Sequence, residues 1–478
     1  MLAASTVVGR RAAIGIAGCL LLAGIFGIFW LMQQPPRPLL QRIQQQGILV
    51  VGSRYSPTVF FQGADGPDGF EYVLAQRFAE YLGVDLRLVF PPNLVALFDA
   101  TARGTVHMAA AGLTITPERE QQVRFSIPYE QVTEQIVYRL GSRRPRSLSE
   151  IAPGDLHVIA RSSHEETLRA LRKDELPTLS WQSHARLSSD ELFAAVDREH
   201  IRLTIADSNE LELSRRFFKH AAVAFELGEP QPIAWAFQKT VDDSLRQAAN
   251  DFLLQAQEDG TLQRLKARFF GHAGRLNFVD TREFWRAVRD RLPALQPYFE
   301  RAAEETGIDW RLLAAIGYQE SHWETDAVSP TGVRGIMMLT QGTAEQMGIS
   351  DRSDPEQSII GGAKYLRTIE KRIPARIREP NRLWLTLAGY NVGFGHLEDA
   401  RILTERDGAN PDLWLEVKQR LPLLAQKQYY KTLRHGFARG QEPVDYVDHI
   451  RNYYDLLVWF TTTRDRETRA RLLAAETD

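Results

Sequence analysis

The sequence predicts an α/β architecture followed by a mainly α-helical part, and three observations support this prediction. Between Gln41 and Gly271, short apolar runs typical of strands alternate with amphipathic helical stretches. From Thr281 onwards, apolar residues recur almost only with helical spacing. A chain of 478 residues is also too long for a single hydrophobic core. We therefore expect an α/β domain at 33–271 and a mainly helical domain at 272–478.

The composition excludes several classes of protein. Apolar residues make up 44% of the chain and charged residues 25%, as in an ordinary globular protein. The formal net charge of −2 gives no electrostatic reason to expect nucleic acid as a partner. The sequence has no glycine-rich phosphate loop and no metal-ligand cluster at a characteristic spacing. It therefore predicts no cofactor and no metal site.

The first 32 residues, 1–32, are predicted to direct the chain out of the cytoplasm. Arg10 and Arg11 precede the apolar run 12–32, which carries no charge in 21 residues. That length could span a bilayer, and a basic start followed by an apolar run is also typical of an export signal. The single cysteine, Cys19, follows an Ile-Ala-Gly sequence that resembles a lipoprotein processing site. A retained anchor, a cleaved signal peptide and lipidation at Cys19 all stay open.

Apolar periodicity assigns the elements of the α/β segment. Short runs rich in β-branched and aromatic residues predict strands, and longer runs with apolar positions three and four apart predict helices. A helix is predicted at 72–82. Strands are predicted at 48–52, 85–90, 105–111, 135–140, 156–161, 201–206 and 221–225. Alternation of this kind favours mostly parallel sheets.

Five motifs in this segment occur in an order that is typical of one family. They are GFEY from Gly69, AGLTITPER from Ala111, FSIPY from Phe125, IADS from Ile205 and EDGTL from Glu258. The ordered set covers nearly the whole segment and resembles the periplasmic solute-binding proteins of amino-acid uptake. The resemblance implies a two-lobed fold that closes on its ligand.

The same resemblance implies a binding site for a small zwitterion. Arg119 matches the arginine that pairs with the ligand α-carboxylate, and Asp207 matches the aspartate that holds the ligand amine. Thr114, Ser162 and Ser163 would offer further hydroxyl groups. An arginine fork suits a carboxylate, and a carboxylate suits an ammonium, so a zwitterion would be recognised at both ends. The alternative is that Arg119 and Asp207 pair with other side chains of this chain.

Glu320 is the main catalytic candidate of the helical segment. The surrounding sequence predicts a helix that starts at Asp309, an N-cap residue type. Leu313, Ile316, Gly317 and Glu320 then share one face, because they are spaced i, i+3, i+4, i+7. A carboxyl group at the end of an apolar stripe is expected to have a raised pKa and to serve as a general acid. The alternative is a helix end whose glutamate points into water.

Three further motifs follow Glu320 and Ser321. They are SPTGVRGIMM from Ser329, AGYNVG from Ala388 and YVDHIRNY from Tyr446. Over roughly 281–457, the ordered set resembles the lytic transglycosylases of bacterial cell walls, which are related in fold to goose-type lysozyme. Two positions depart from that family's pattern: Met338 replaces a glutamine and Gly389 replaces an alanine. The methionine removes an amide that could hydrogen-bond sugar.

This second resemblance implies a reaction and the residues for it. The reaction cleaves the β-1,4 bond between N-acetylmuramic acid and N-acetylglucosamine and leaves a 1,6-anhydro ring. Glu320 would be the acid and then the base, and Ser329 would orient the acetamido group. Tyr390, and secondarily Tyr446, would hydrogen-bond near Glu320. A single carboxylate in the motifs agrees with such a site, since ordinary glycosidases use two. Substrate contacts are implied for Ser321, Met338, Asn391 and Tyr446.

The order of the two segments behind a membrane-targeting sequence resembles the F-type, membrane-bound branch of the lytic transglycosylases. It implies peptidoglycan glycan strands as substrate and an amino acid or muropeptide as a regulatory ligand of the first domain. It also implies residence at the periplasmic face of the outer membrane. Two other functions stay open: a muramidase that uses water with the same glutamate, and a ligand sensor whose helical domain binds glycan without cleaving it.

Overall fold

The computed structural model describes residues 37–63, 66–185, 187–215, 217–218, 220–271, 278–329 and 332–462. The apolar segment at the N-terminus and Cys19 lie outside these residues, so the interpretations of that segment stay predictions. Within the described part of the chain, no helix is both long enough and apolar enough to cross a membrane.

The α/β part contains short strands and two long ones. They are β1 (Ile48–Gly52), β2 (Phe61–Gly63), β3 (Gly66–Asp68), β4 (Asp85–Val89), β5 (Met108–Thr114), β6 (Val123–Phe125), β7 (Glu130–Arg139), β8 (Leu156–Ile159), β9 (Gln182–His184), β10 (Leu203–Asp207) and β11 (Ala221–Gln238). Strands β2 and β3 pair with each other. Among the described residues, the other nine strands form one sheet in the order β4-β1-β5-β11-β7-β10-β8-β9, with β6 also paired to β11.

The sheet is mixed, so the expectation of mostly parallel pairing is wrong for its centre. Strand β1 pairs in parallel with β4 and β5, and β8 pairs in parallel with β9 and β10. The long strands β7 and β11 run antiparallel to each other, and each also pairs antiparallel with a neighbour. The two long strands therefore join two lobes, each of which keeps a parallel core.

Helices cover both lobes of the sheet. They are α1 (Leu39–Gln46), α2 (Phe70–Leu82), α3 (Leu94–Ala102), α4 (Pro117–Glu120), α5 (Ser163–Asp174), α6 (Ser189–Asp197), α7 (Ser208–Ser214), α8 (Ser244–Glu258) and α9 (Thr261–Phe269). The first lobe has an apolar core around Phe78 and Trp235, and the second lobe has its own core around Leu156 and Leu168. Separate cores are typical of lobes that can move relative to each other.

The rest of the described chain is helical. Its helices are α10 (Phe278–Asp290), α11 (Leu292–Thr306), α12 (Trp310–Ser321), α13 (Gln341–Gln346), α14 (Pro355–Arg372), α15 (Asn381–Val392), α16 (Phe394–Arg406), α17 (Trp414–Arg420), α18 (Lys427–Tyr430) and α19 (Gln441–Thr462). Helix α19 packs along α12 and α15. The predicted fold class, an α/β part followed by a mainly helical part, is confirmed.

The core of the helical part continues into the second lobe. One cluster of buried apolar residues includes Phe284 and Leu457 of the helical part together with Phe193 and Phe217 of the second lobe. At this junction the rings of Phe217 and Trp459 lie 4.7 Å apart between centroids. Helix α19 therefore contacts both parts of the molecule.

Candidate active site

Helix α12 positions Glu320 as the sequence predicted. Asp309 caps the helix by accepting a hydrogen bond from the Arg311 N–H at 2.8 Å. The stripe residues Leu313 and Ile316 are fully buried, while Glu320 is half-buried one residue before the helix ends at Ser321. The apolar stripe therefore packs in the core and places the Glu320 carboxyl group at the edge of the core.

The environment of Glu320 keeps its carboxyl group close to half-protonated at neutral pH. Burial raises its pKa from 4.5 to about 7, and a hydrogen bond from Tyr446 opposes the shift. The Tyr446 hydroxyl donates to Glu320 Oε1 at 2.6 Å. Because a group with a pKa near the working pH can both give and take a proton, Glu320 is suited to acid and base steps in turn.

Two tyrosines lie face to face beside this carboxyl group. The rings of Tyr390 and Tyr446 are stacked at 6.5 Å, with an interplanar angle of 14°. The Tyr390 hydroxyl donates to the Met337 carbonyl at 3.1 Å. It is therefore Tyr446 that bonds Glu320, whereas the sequence analysis expected this contact chiefly from Tyr390. Burial and the charge of Glu320 raise the pKa of Tyr390 well above its usual value, which keeps this phenol neutral.

Ser321 joins the catalytic helix to the loop that follows it. Its hydroxyl is buried and bonds the carbonyls of Gly317 and Ile336 at 3.1 and 3.0 Å. The contacts of this hydroxyl are thus with backbone, and they hold the turn at 335–338 against α12. The substrate contact that the family resemblance implies for Ser321 stays a prediction.

The remaining predicted site residues lie on loops and at a helix end. Ser329 closes a turn, in which its Oγ accepts from the Val333 N–H at 3.2 Å. Met338 is half-buried and has a positive φ of 45°, an uncommon backbone conformation for a residue with a side chain. Asn391 is exposed at the end of α15. Pro330 of the Ser-Pro turn lies outside the described residues.

A second candidate site lies between the two lobes of the α/β part. A cavity of about 30 Å³ is lined by residues of both lobes, among them Arg119, Asp207, Ser162 and Ser163. A volume of this size holds about one water molecule. The structure thus brings the predicted ligand residues together, with the lobes closed on a space smaller than an amino acid.

Arg119 and Asp207 are each paired with a residue of one helix, α5. Arg119 Nε lies 3.1 Å from Glu166 Oε1, and Asp207 Oδ1 lies 3.0 Å from His164 Nε2. Burial opposes charge on His164, but the neighbouring carboxylates of Asp207 and Glu134 raise its pKa to about 9. This pairing is the alternative that the sequence analysis left open for Arg119 and Asp207.

The hydroxyl groups at the cavity are also engaged. Thr114 Oγ1 lies 3.4 Å from Ser163 Oγ, across the lobes. Ser162 caps α5 by accepting from the Glu165 N–H, and its own proton goes to the Ile159 carbonyl at 2.7 Å. His164 and Glu166 were not among the predicted site residues, because their partners lie far away in the chain. The one signal in the sequence was Ser162, an N-cap residue type at the start of α5.

Comparisons with known proteins assign a family to each part of the chain. Residues 48–272 match the bacterial extracellular solute-binding proteins, family 3. Residues 297–411 match the transglycosylase SLT domain. The fold and the two matched domains therefore define a lytic transglycosylase that carries a solute-binding domain.

Curated relatives match over almost the whole chain. Membrane-bound lytic murein transglycosylase F 1 of Alkalilimnicola ehrlichii is 47% identical over 95% of this chain and 93% of its own length. Membrane-bound lytic murein transglycosylase F of Ectopseudomonas mendocina is 47% identical over 90% of this chain and 88% of its own. The chain belongs to the membrane-bound lytic murein transglycosylase F family, and it is a peptidoglycan lytic transglycosylase.

Solved structures align with the α/β part. A mutant of ArgBP from T. maritima aligns with 48% of this chain and 99% of its own, at 22% identity and a TM-score of 0.44. The ancestral amino acid-binding protein AncCDT-1 aligns with 49% of this chain and 99% of its own, at 26% identity and a TM-score of 0.42.

Proposed function

We propose that Glu320 is the single acid and base with which this chain cleaves the β-1,4 bond between N-acetylmuramic acid and N-acetylglucosamine. The observation that carries this proposal is a half-buried carboxyl group with a pKa of about 7 and a phenol donor at 2.6 Å. Glu324, the next carboxylate along the chain, is exposed and paired with Arg291 at 3.1 Å. A site with one working carboxylate needs a nucleophile from the substrate itself.

The proposed reaction consumes no water. Protonated Glu320 gives its proton to the bridging oxygen as the bond from that oxygen to C1 of muramic acid breaks. The 2-acetamido group stabilises the positive charge that develops at C1. The Glu320 carboxylate then takes the proton of the O6 hydroxyl, whose oxygen bonds C1 and closes the 1,6-anhydro ring. Glu320 ends protonated, ready for the next cycle.

Other residues assist this reaction. Ser329 orients the acetamido group, and Tyr446 holds the Glu320 carboxyl group in position through its hydrogen bond. The ring of Tyr390 stacks on the ring of Tyr446, and its hydroxyl donates a hydrogen bond to the Met337 carbonyl. Exposed Asn391 contacts the glycan. Half-buried Met338 offers an apolar contact where an amide would offer a hydrogen bond.

Replacement of Glu320 by glutamine tests the assignment. Glu320→Gln keeps the shape of the side chain but can neither give nor take the proton, so release of anhydromuropeptides from purified peptidoglycan is expected to fall by at least about 10²-fold. Mass spectrometry of the products measures the effect, and circular dichroism checks the fold.

Glu324→Gln is the matched control, because Glu324 lies four residues on and is exposed. It is expected to keep full activity. Substantial anhydro product from Glu320→Gln would contradict the assignment. Products with reducing ends in place of anhydro ends would show a muramidase that uses water.

We further propose that the α/β part binds a small zwitterion, an amino acid or a muropeptide, between Arg119 and Asp207. The ligand carboxylate would replace Glu166 at Arg119, and its ammonium would replace His164 at Asp207. This exchange supports a regulatory role, because the closed lobes leave only about 30 Å³ and must open before a ligand enters. Ligand binding can then alter catalysis only through a difference in affinity between the two states.

Calorimetry of the full chain with amino acids and wall stem peptides tests this second site. Arg119→Ala removes the partner of the ligand carboxylate and is expected to weaken binding by about 2–5 kcal/mol. The control is Arg103→Ala, because the Arg103 side chain is 76% exposed. Equal affinity in Arg119→Ala, or no binding by wild type, would contradict the site.

The domain boundaries and the location of the chain also belong to this proposal. We assign residues 1–32 to a signal peptide or anchor, 33–271 to the solute-binding domain and 272–478 to the catalytic domain. Relatives named as membrane-bound support membrane association through the N-terminus. Peptidoglycan as substrate supports the periplasmic face of the outer membrane as the location.

A further inference from the structure

Three buried side chains of the second lobe converge behind the small cavity. Glu134 belongs to β7, His164 to the first turn of α5, and Asp207 to the end of β10. One ligand atom from each of them can be chosen so that all three atoms lie within 4.8 Å of one another. All three side chains are buried.

The sheet register forces the two carboxylates together. Strands β7 and β10 are antiparallel, and Asp207 is the direct partner of Glu134. Like charges directly opposite each other in a sheet are destabilising. Both residues are also largely withheld from water, since Glu134 is 1% exposed and Asp207 6%. The pair therefore requires a cationic partner.

Within the described part of the chain, His164 is the cationic group that lies in this space, but its Nε2 pairs with Asp207 and it donates no hydrogen bond to Glu134. The Thr167 hydroxyl approaches it, but no donor reaches hydrogen-bonding geometry with either of its carboxylate oxygens. Buried polar atoms in native proteins are almost always bonded, and the exceptions are explained by an unseen water or ion. The oxygens of Glu134 lie in the same small space as His164 and Asp207.

The nearby arginines are already committed elsewhere. Arg119 is paired with Glu166 at 3.1 Å, and Arg54 is paired with Glu210 at 2.6 Å. This leaves one imidazole, His164, between two carboxylates. A metal ion on His164 displaces the proton from that ring nitrogen, and the two carboxylates then match the charge of a divalent cation.

We propose that Glu134, His164 and Asp207 bind a divalent transition-metal ion, for which zinc is the best fit. An imidazole nitrogen with carboxylate oxygens is a usual zinc donor set, and tetrahedral ligands about 2.1 Å from zinc lie about 3.4 Å apart. A modest contraction of the cluster brings its atoms to that spacing. His164 and Asp207 also line the cavity, which leaves a position for water as a fourth ligand.

The three ligands come from separate elements, so no spacing of residues in the sequence predicts this site. A metal on Asp207 would occupy the place of the ligand ammonium proposed above, and the two ligands would compete. The metal site itself does not depend on amino-acid binding. Zinc uptake therefore tests it separately.

Zinc titration of the chelator-treated full chain tests the proposal. Calorimetry is expected to give one zinc per chain, and Glu134→Gln and His164→Gln are each expected to weaken binding by at least about 100-fold. The control is His157→Gln. His157 lies in the same lobe but contacts His184, at 2.9 Å, and not a carboxylate. This variant is expected to bind zinc as wild type does.

X-ray absorption of the zinc-loaded wild type gives a readout that does not depend on how the variants fold. One imidazole together with oxygen ligands supports the site, whereas two imidazoles would assign the metal to the His157 and His184 pair. The absence of saturable binding by wild type, or wild-type affinity in Glu134→Gln, would overturn the proposal. In that outcome Glu134 is buried as the neutral acid.

Discussion

The chemistry of Glu320 depends on two opposing effects at one side chain. Removal from water favours the neutral carboxyl group, and the hydrogen bond from Tyr446 favours the carboxylate. The first effect is the larger, so the pKa rises to about 7. The stability that Glu320 contributes to the folded state is therefore fully present below about pH 4.5, and it is lost as the pH rises through about 7. The active site is thus stabilised in the form that can act as an acid.

The pH profile of the reaction follows from this pKa. We expect kcat/KM on purified peptidoglycan to fall about tenfold per pH unit above pH 7, because only protonated Glu320 can protonate the leaving oxygen. Tyr446→Phe removes a donor that stabilises the carboxylate, so the pKa should rise and the falling limb should move to higher pH. Rates of anhydromuropeptide release across pH measure both effects.

The control for that profile is Tyr298→Phe, a half-buried tyrosine on α11. It should leave the falling limb where it is in wild type. A limb near pH 4.5 in wild type, or an unshifted limb in Tyr446→Phe, would contradict the account of Glu320.

At the residue scale, the sequence predicted what local spacing determines. It predicted Glu320 at the end of a buried stripe and the Asp309 cap, because both depend on neighbours within a few turns. The hydrogen bond from Tyr446 to Glu320 joins residues 126 positions apart, so local spacing could not predict it, and only the family resemblance pointed to Tyr446. The pairing of Arg119 with Glu166 was missed for the same reason.

At the scale of elements, the turn after α12 depends on one glycine. Gly335 has a φ of 81°, and a Cβ atom there would lie 1.9 Å from the Arg352 carbonyl oxygen. This turn presents the Ile336 carbonyl to Ser321 and the Met337 carbonyl to Tyr390. The conformation of one glycine therefore positions the backbone groups that hold the catalytic helix and its tyrosine.

Substitution of this glycine should cost both stability and activity. We expect Gly335→Ala to lower the free energy of unfolding by at least about 2 kcal/mol, because it adds backbone strain to a steric clash. Thermal unfolding and anhydromuropeptide release measure the two losses. Gly342→Ala is the control, since Gly342 lies in α13 with open space around it. Stability equal to wild type in Gly335→Ala would show that the turn adapts.

The elements that the sequence predicted less well are those with interrupted patterns. Strand β11 extends from Ala221 to Gln238, although only 221–225 was predicted. Prolines at 230 and 232 argue against a strand, and the structure accommodates them near a shift in register between Leu227 and Gln231. Strand β5 begins three residues later than predicted, at Met108. The ends of β5 and β11 are therefore set by pairing with neighbouring strands and not by the local sequence.

At the scale of the whole molecule, α19 links the two parts. Near its start, Tyr446 bonds Glu320, and near its end Trp459 packs on Phe217 of the second lobe. Helix α19 therefore contacts both Glu320 and the second lobe of the α/β part, so it is the element at which coupling between the two parts can be tested. The family resemblance predicted that the two parts occur together, but the pattern of apolar residues gave no sign of which surfaces meet.

The contact between Phe217 and Trp459 can be measured with a double-mutant cycle. Phe217→Ala, Trp459→Ala and the double variant are compared by denaturant unfolding, observed in the transition of the helical part. The rings lie 4.7 Å apart, so we expect a coupling free energy of about 0.5–1.5 kcal/mol. The reference cycle uses Phe284 and Tyr453, stacked at 4.9 Å inside the helical part. If Phe217 and Trp459 were additive within about 0.3 kcal/mol while the reference pair was coupled, α19 would not join the two parts in solution, and a ligand between the lobes would need another route to Glu320.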